Sequence, residues 1–166
     1  MSALHRNDSL FNTSIESGLR TLFVLEAVKP HPCDLQRLVI YDYLLIHSHD
    51  AAAGPESLHP PTPLRSGELL VRRKLVEDGL HLLLRKGLVN ISYTKAGLLY
   101  TTTKIAEAFL PHLNSPYAKR CAEISKWIAK QFQSLSDDAL NSLVNENIGR
   151  WGAEFTHEPM LLEEVE

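Results

Sequence analysis

The chain has 166 residues, of which 44% are hydrophobic and 22% charged, and its formal net charge is −3. This length and composition are typical of one globular domain and exclude a fibrous or intrinsically disordered protein. No apolar run approaches the ~18 residues of a transmembrane helix, and the first twenty residues lack the apolar core that a secretory signal would require.

The cysteines and the charge distribution narrow the class of protein. Cys33 and Cys121 have a separation that fits neither a disulfide scaffold nor a zinc ribbon, so we expect a cytoplasmic protein with reduced thiols. Residues 65–104 contain eight Lys/Arg against three Asp/Glu, whereas residues 137–166 contain eight acids and one arginine. A basic face for a polyanion can therefore exist only locally, away from the acidic end.

Two helices are predicted at the start of the chain. Residues 13–16 fit a capping box, and the helix that follows runs to about Val28, before Pro30. Asp34 caps a second helix to about His47, in which apolar residues surround nearly the whole helix. We therefore expect the second helix to be the buried central element. The expected apolar positions of the first helix are Ile15, Leu19, Leu22 and Phe23.

A proline-rich loop, residues 51–66, precedes a third helix. We expect Leu58 and Leu64 to hold this loop on the core. Ser66 is the predicted cap of the third helix, and Gly87 occupies the position of a terminating glycine. The expected buried stripe of this helix is Leu69, Val76, Leu80, Leu83 and Leu84.

After the third helix the apolar pattern changes from a helical period to that of a strand. Val89, Ile91 and Tyr93 alternate with polar residues, residues 94–97 form a turn, and residues 98–101 return as an antiparallel partner. A lone hairpin is marginal, so we expect it to lie on the helices. Three helices followed by a hairpin is the order of a winged-helix domain.

Three further helices are predicted after the hairpin. A short one spans about residues 103–110, the next has Ser115 as its cap and Pro116 at its first position, and the last begins after Ser136. The expected apolar faces of the last two are Tyr117, Cys121, Ile124, Ile128 and Phe132, and then Leu140, Leu143, Val144, Ile148 and Trp151.

These elements predict a mainly α fold with a small β-hairpin, in which a winged-helix domain is followed by C-terminal helices. The expected division is an N-terminal lead (1–12), a winged-helix core (13–113), a C-terminal helical extension (114–155) and an acidic tail (156–166). Trp127, Trp151 and Phe155 are of a kind more often found in a core than as docking anchors. Two further amphipathic helices and the apolar patch 160–162 nevertheless provide more apolar surface than one hairpin can cover, which favours an obligate partner.

Basic residues on and around the third helix are the candidate binding site. In a winged helix such positions contact phosphates or an acidic protein surface. The alternative is a solvated face, because ion pairs along the helix can neutralise these basic residues. The acids at the spacing of such pairs are Glu68, Glu77 and Asp78. The candidate DNA or partner contacts are Arg65, Arg72, Arg73, Lys74, Arg85, Lys86 and Lys95.

Residues for catalysis or metal binding are few. The stretch His47-Ser48-His49-Asp50 resembles metal ligands, but no second cluster completes a shell. There is no glycine-flanked nucleophilic serine and no glycine-rich phosphate loop. Asp42, an acid within a strongly apolar helix, is interpreted as paired with an arginine or placed at an interface, the alternative being a perturbed catalytic carboxylate. We therefore expect no enzymatic activity, metal or cofactor.

Four stretches of the sequence carry a resemblance to a known family. They are LRTLFVLEAVKPHPCDLQRLVIYDYLLIHSHD, GPESLHPPTP, RSGELLVRRKLVEDGLHLLLRKGLV and GLLYTTTKIAEAFLPHLNSPYAKR. Together they resemble the middle component of bacterial ABC-three-component systems, the small subunit of Lamassu-type defence operons. The similarity covers about residues 8–133, and its most specific part is the series DLQRLV…DYLL…SLHPP…ELLVRR.

This resemblance implies a non-catalytic adaptor. In such systems a large SMC-like ABC ATPase senses DNA, and an effector, often a nuclease, carries the toxic activity. The middle component is similar in role to the winged-helix subunits of chromosomal SMC complexes. It would bridge the ATPase and the effector in anti-phage or anti-plasmid defence. As part of the complex it would contact double-stranded DNA, and it would not contact a membrane.

Two rival interpretations remain open at this point. The first is a free-standing winged-helix DNA-binding transcriptional regulator, although the third helix offers little Asn, Gln or Ser for reading base edges. The second, ranked last, is a metal-dependent enzyme built on residues 47–50.

Overall fold

The computed structural model describes residues 13–51, 54–59 and 66–151, and within these ranges it confirms a mainly helical fold with one antiparallel hairpin. In chain order the elements are α1 (Ser14–Ala27), α2 (Leu35–Ile46), a 3₁₀ turn (Ser48–Asp50), α3 (Ser66–Arg85), β1 (Val89–Thr94), β2 (Gly97–Thr102), α4 (Lys104–Phe109), a second 3₁₀ turn (Leu110–His112), α5 (Pro116–Phe132) and α6 (Asp137–Trp151).

Side-chain caps define where the helices begin. Thr13, Asp34, Thr103, Ser115 and Ser136 each accept a hydrogen bond from the backbone N–H three residues further along the chain. Each bond satisfies one of the N–H groups that the first turn of a helix leaves without a partner. The predicted starts of α1, α2, α5 and α6 are therefore confirmed.

Helix α2 is the central element, as predicted. Every residue from Leu38 to Ile46 is buried, and α1, α3 and α5 all pack against this helix. The hairpin also lies on the helical core, because Cys33, just before α2, exchanges two backbone hydrogen bonds with Tyr100 of β2, at 3.2 and 2.8 Å.

The hairpin has the predicted register and turn. Val89 lies opposite Thr102 at its base, and Tyr93 lies opposite Leu98 near the turn. Gly87, in the connection from α3, has φ of +70°, a left-handed conformation that glycine adopts without strain and that ends α3 as predicted.

The buried face of α1 differs from the predicted one. Ile15 is 60% exposed, whereas Ser17, Gly18 and Thr21 are buried. The reason is a close crossing of α1 and α3, where Gly79 of α3 faces Gly18. Small side chains occupy this contact so that the two backbones can approach, and a prediction from apolar residues alone misses such a face.

The C-terminal helices share the core of the preceding elements. Cys121, Ile124, Ile128 and Phe132 of α5 are buried as predicted, and α5 packs on both α1 and α2. Trp127 lies edge-on to Phe132, with ring centroids 5.5 Å apart, and is partly buried against the core. The apolar face of α5 is therefore covered within the chain.

One arginine ties the last helices to α2. Arg37 donates hydrogen bonds to the carbonyl oxygens of Phe132 and Leu135, at 3.0 and 2.5 Å, and to the carboxylate of Asp137, at 2.7 Å. Its Nε also donates to the hydroxyl of Tyr41, at 2.8 Å. These bonds satisfy carbonyl groups at the end of α5 and position the start of α6.

Several predictions concern parts of the chain outside the described residues. Leu58 packs against the core as expected, but its companion Leu64 falls outside. The same holds for the lead, the acidic tail, Phe155 and the patch 160–162, and for the side chains of Ser66, Leu69, Ile148 and Trp151. In the part of the chain that is described, no helix has the length and apolar character to cross a bilayer.

The crossing of α1 and α3 gives a first prediction. In Gly79→Ala the new Cβ would lie 2.8 Å from the backbone N and 2.9 Å from the Cα of Gly18, and backbone atoms cannot move aside cheaply. We expect a loss of about 1–3 kcal/mol in the free energy of unfolding, measured by urea denaturation.

Gly18→Ala is the matched control. Its Cβ would meet Gly79 at 3.4 Å, an ordinary contact, and alanine favours a helix by about 1 kcal/mol over glycine. We expect this variant to be at least as stable as the wild type. Equal losses in the two variants would contradict the crossing geometry.

Candidate functional site

The structure divides the predicted basic contacts into one interior residue and a set of exposed residues. Arg72 is only 3% exposed. Arg65 lies outside the described residues. The remaining side chains are exposed, and we call them the basic set: Arg73, Lys74, Arg85, Lys86 and Lys95.

Four members of the basic set lie on or just after α3, and Lys95 lies in the hairpin turn. Lys74 and Arg85 share one face of α3, since eleven residues make about three turns. Lys74 Nζ lies 3.6 Å from the carboxylate of Asp78, which confirms one of the expected helical ion pairs. Arg73 donates to the side chain of Gln36 at 3.0 Å. Exposed pairs of this kind contribute little free energy, so these cations can exchange partners.

Arg72 does not lie on the predicted contact surface. It falls on the same face of α3 as Val76, Leu80 and Leu83, at steps of three or four residues, and that face is buried. Its Nη1 lies 2.7 Å from Oδ2 of Asp42 on α2. The helical spacing in the sequence matches Arg72 to this buried stripe. The prediction placed Arg72 on the surface because its side chain is charged.

Asp42 sits between two arginines in the interior. Arg20 of α1 approaches from the other side, with its Nε 2.8 Å from Oδ1 and its Nη2 3.5 Å from Oδ2. Arg20 and Asp42 are 0% and 1% exposed. We call Arg20, Asp42 and Arg72 the charge cluster. It confirms that Asp42 is paired with arginine, and sequence reasoning missed Arg20 as one of its partners.

The electrostatics of the charge cluster keep Asp42 ionised. Burial acts to raise the pKa of Asp42, but the charges of Arg20 and Arg72 and their hydrogen bonds outweigh it and hold the pKa below its usual value. A carboxylate with a lowered pKa, engaged at both oxygens, is a poor general base. The arrangement is suited to fixing three helices rather than to proton transfer.

The cluster continues to the proline-rich loop through Tyr117 of α5. Arg20 Nη1 donates to the Tyr117 hydroxyl at 3.4 Å, and His59 Nε2 lies 3.0 Å from the same oxygen. Burial, together with the charges of Arg20 and Arg72, lowers the pKa of His59 to about 4. His59 is therefore neutral at neutral pH and helps to hold the loop against α5.

The two histidines of the stretch 47–50 lie in different environments, and the side chain of Asp50 lies outside the described residues. His47 is buried, with its ring 5.0 Å from that of Tyr43, whereas His49 is exposed. Within the described ranges, no group of three His, Cys, Asp or Glu side chains is placed to hold a metal ion. Burial also raises the pKa of both Cys33 and Cys121 to about 12, which makes these thiols poor nucleophiles.

A cleft of about 330 Å³ lies between α1 and the start of α5, and no sequence motif predicted it. Glu16, Leu19, Arg20 and Phe23 line one wall, at helical steps along α1. The opposite wall consists of residues 112–115 together with Tyr117, Ala118 and Cys121. Arg20 and Tyr117 therefore connect the floor of this α1–α5 cleft to the charge cluster.

The described residues define a small helical protein with a closed interior charge cluster, an exposed basic set and a cleft between α1 and α5. A family model described as "ABC-three component (ABC-3C) system Middle Component 2" matches residues 10–154. The chain belongs to this family, which confirms the resemblance seen in its sequence. No curated protein and no solved structure gives a significant match.

The charge cluster gives a second prediction. Asp42→Asn leaves two buried arginines without their counter-charge, and breaking a buried pair in this way costs about 3–5 kcal/mol. We expect a loss of this size in the free energy of unfolding, measured by urea denaturation. Asp78→Asn, which removes the exposed partner of Lys74, is the control and should cost less than about 0.5 kcal/mol. Similar losses in both would contradict the role of the cluster.

The histidine beside the cluster gives a third prediction. The pKa of His59 is about 4 in the fold against an ordinary 6.5, so as pH falls through this window the unfolded chain binds the proton first. His59 should therefore make the free energy of unfolding fall with decreasing pH, by up to about 1.4 kcal/mol per pH unit. In His59→Gln this part of the slope should disappear between pH 6.5 and 4. An unchanged slope in thermal or urea titrations would contradict it.

Proposed function

We propose that the chain is a non-catalytic accessory subunit that bridges an SMC-like ABC ATPase and an effector, which we take to be a nuclease, in a Lamassu-type defence system against phages and plasmids. The match to the middle-component family carries this proposal, because a middle component works alongside other subunits. Since the proposed target is foreign DNA inside the cell, the complex would act in the cytoplasm.

The chemistry of the described residues supports an adaptor. The buried carboxylate of Asp42 has both of its oxygens engaged by arginines. Both cysteines are buried and have raised pKa values. Asp42 and the two cysteines are thus closed off as base or nucleophile, while cations and a cleft face outward.

We further propose that residues 13–113 act as a winged-helix domain, with α3 as its recognition helix and the hairpin as its wing. The order of elements and the packing of β1 on α3 support this arrangement. The wing offers Lys95 in its turn and, just behind it, Tyr93 and Leu98, which face each other and are 82% and 41% exposed. Residues 114–155 would then be a helical extension, of which α5 packs on α1 and α2 of this domain.

The basic set is the proposed contact for double-stranded DNA or for an acidic surface of the ATPase. Phosphates and carboxylates both attract such a group of cations, and DNA binding of this kind weakens steeply with salt. Arg72 is not part of this contact, because its guanidinium is used inside the protein.

Charge reversal provides the test. The double variant Arg73→Glu/Lys74→Glu should weaken binding to the ATPase encoded beside this chain, or to DNA within the complex, by at least about tenfold. The reason is that attraction between the basic set and a negatively charged surface becomes repulsion. The measurement is a titration of the purified chain against the reconstituted partners at two salt concentrations.

The matched control is Lys126→Glu/Lys130→Glu, two exposed lysines one turn apart on α5. This variant carries the same change in net charge at a different place and should bind within about twofold of wild type. If the α3 variant also binds normally, the basic set is a solvated face. If the wild-type chain assembles with no neighbouring subunit and binds DNA alone as a dimer, the regulator interpretation replaces the adaptor.

A further inference from the structure

The α1–α5 cleft is lined by the carboxylate of Glu16, one oxygen of which has no partner among the described residues. Oε2 of Glu16 is shielded from solvent and makes no hydrogen bond to any residue that the structure describes. Burial raises the pKa of Glu16, and this effect outweighs the charge of Arg20, which lowers it. Because both oxygens share the negative charge, a cation that enters the cleft beside Glu16 would compensate it.

The other polar groups on the cleft floor are already engaged. Arg20 is bonded to Asp42 at 2.8 Å and to the Tyr117 hydroxyl at 3.4 Å, and Tyr117 also contacts His59 at 3.0 Å. The guanidinium of Arg20 is therefore committed inside the fold and does not offer a site for an anion. The charge that the cleft presents to a ligand is the negative charge of Glu16.

Around this carboxylate the walls are largely apolar. Leu19 and Phe23 follow Glu16 along α1, and Leu113 faces them from the opposite wall. Ile15, 60% exposed, lies one helical turn before Leu19 and extends the apolar surface beyond the rim. A volume of about 330 Å³ is at the small end of ligand sites and accepts one or two side chains rather than a cofactor.

From these observations we infer that the α1–α5 cleft is a docking site for a segment of a partner subunit that presents a lysine or arginine beside a bulky apolar residue. The cation pairs with Glu16, while its methylene stem and the apolar neighbour pack on Leu19, Phe23 and Leu113. This inference rests on the proposed function for the existence of the partner, and adds where the partner binds and by which chemistry.

Affinity measurements on two glutamates test the inference. The purified chain is titrated with the ATPase and the effector encoded beside it, separately and together. Glu16→Gln keeps the shape of the side chain and removes its negative charge, so it should weaken binding to either the ATPase or the effector by at least about tenfold. Glu16→Lys reverses the charge and should weaken that binding further. The controls are Glu146→Gln and Glu146→Lys, at an exposed glutamate on α6, which should bind within about twofold of wild type.

Stability of the free chain separates docking from a structural role. Because no described residue bonds Oε2 of Glu16, and burial disfavours the ionised form of this carboxyl, Glu16→Gln should not lower the melting temperature. A lower melting temperature together with weakened binding would mean that Glu16 supports the fold, and would overturn the inference.

A photo-crosslinker identifies the occupant. Benzoylphenylalanine at His112, an exposed residue lining the cleft, should crosslink to a partner peptide containing Lys or Arg next to an apolar residue, and the same group at Lys130 of α5 should not. Crosslinks to a second copy of this chain, or to a peptide without a cation, would overturn the inference. So would normal binding by both Glu16 variants, which would leave the adaptor proposal standing. If the wild type binds neither subunit, both proposals fail.

Discussion

The pairing of one buried carboxylate with two arginines is the constraint on which this structure depends. Asp42 comes from α2, Arg20 from α1 and Arg72 from α3, so three helices meet at one charged point. Such a cluster contributes less net stability than its short distances suggest, because all three groups lose hydration. Its effect is on geometry instead: any rotation of α3 that moved Arg72 away from Asp42 would leave buried charge uncompensated. With Arg72 held inward, Arg73 and Lys74, about 100° and 200° further around the helix, face solvent.

A second set of polar contacts makes the C-terminal helices part of the same body. Arg37 reaches the end of α5 and the start of α6, and Tyr117 joins α5 to the charge cluster and to His59 of the proline-rich loop. These contacts, and the burial of the apolar face of α5, account for the part of the expected surplus apolar surface that lies on α5. Family membership, the exposed basic set and a carboxylate oxygen in the cleft that no described residue bonds all favour partners.

The sequence predicts those features that depend on local chemistry. Caps at Asp34 and Ser115, the glycine that ends α3 and the alternation of β1 each follow from a few neighbouring residues, and the structure confirms them. Features that depend on how elements meet were not predictable in this way. The buried face of α1 follows from a backbone approach to Gly79, and the placement of Arg72 follows from the position of Asp42, thirty residues earlier. The cleft is a property of two helices far apart in sequence, so no single stretch carries a signal for it.

The positions of the two proposed contact surfaces relative to the charge cluster constrain how an adaptor of this kind works. Arg20 lies one helical turn after Glu16 of the cleft, and Arg72 immediately precedes Arg73 of the basic set, so each surface is attached to the cluster by its own helix. A ligand shifts a conformational equilibrium only by its difference in affinity for two states. An alternative packing of the helices that separated the three charges of the cluster would leave buried charge uncompensated. Such a conformation is therefore costly. Subunits bound at the cleft and at the basic set would therefore be held at a fixed relative position. In the proposed complex, bridging by this chain would accordingly consist of positioning its partners, and a switch that responds to DNA would belong to the larger subunits.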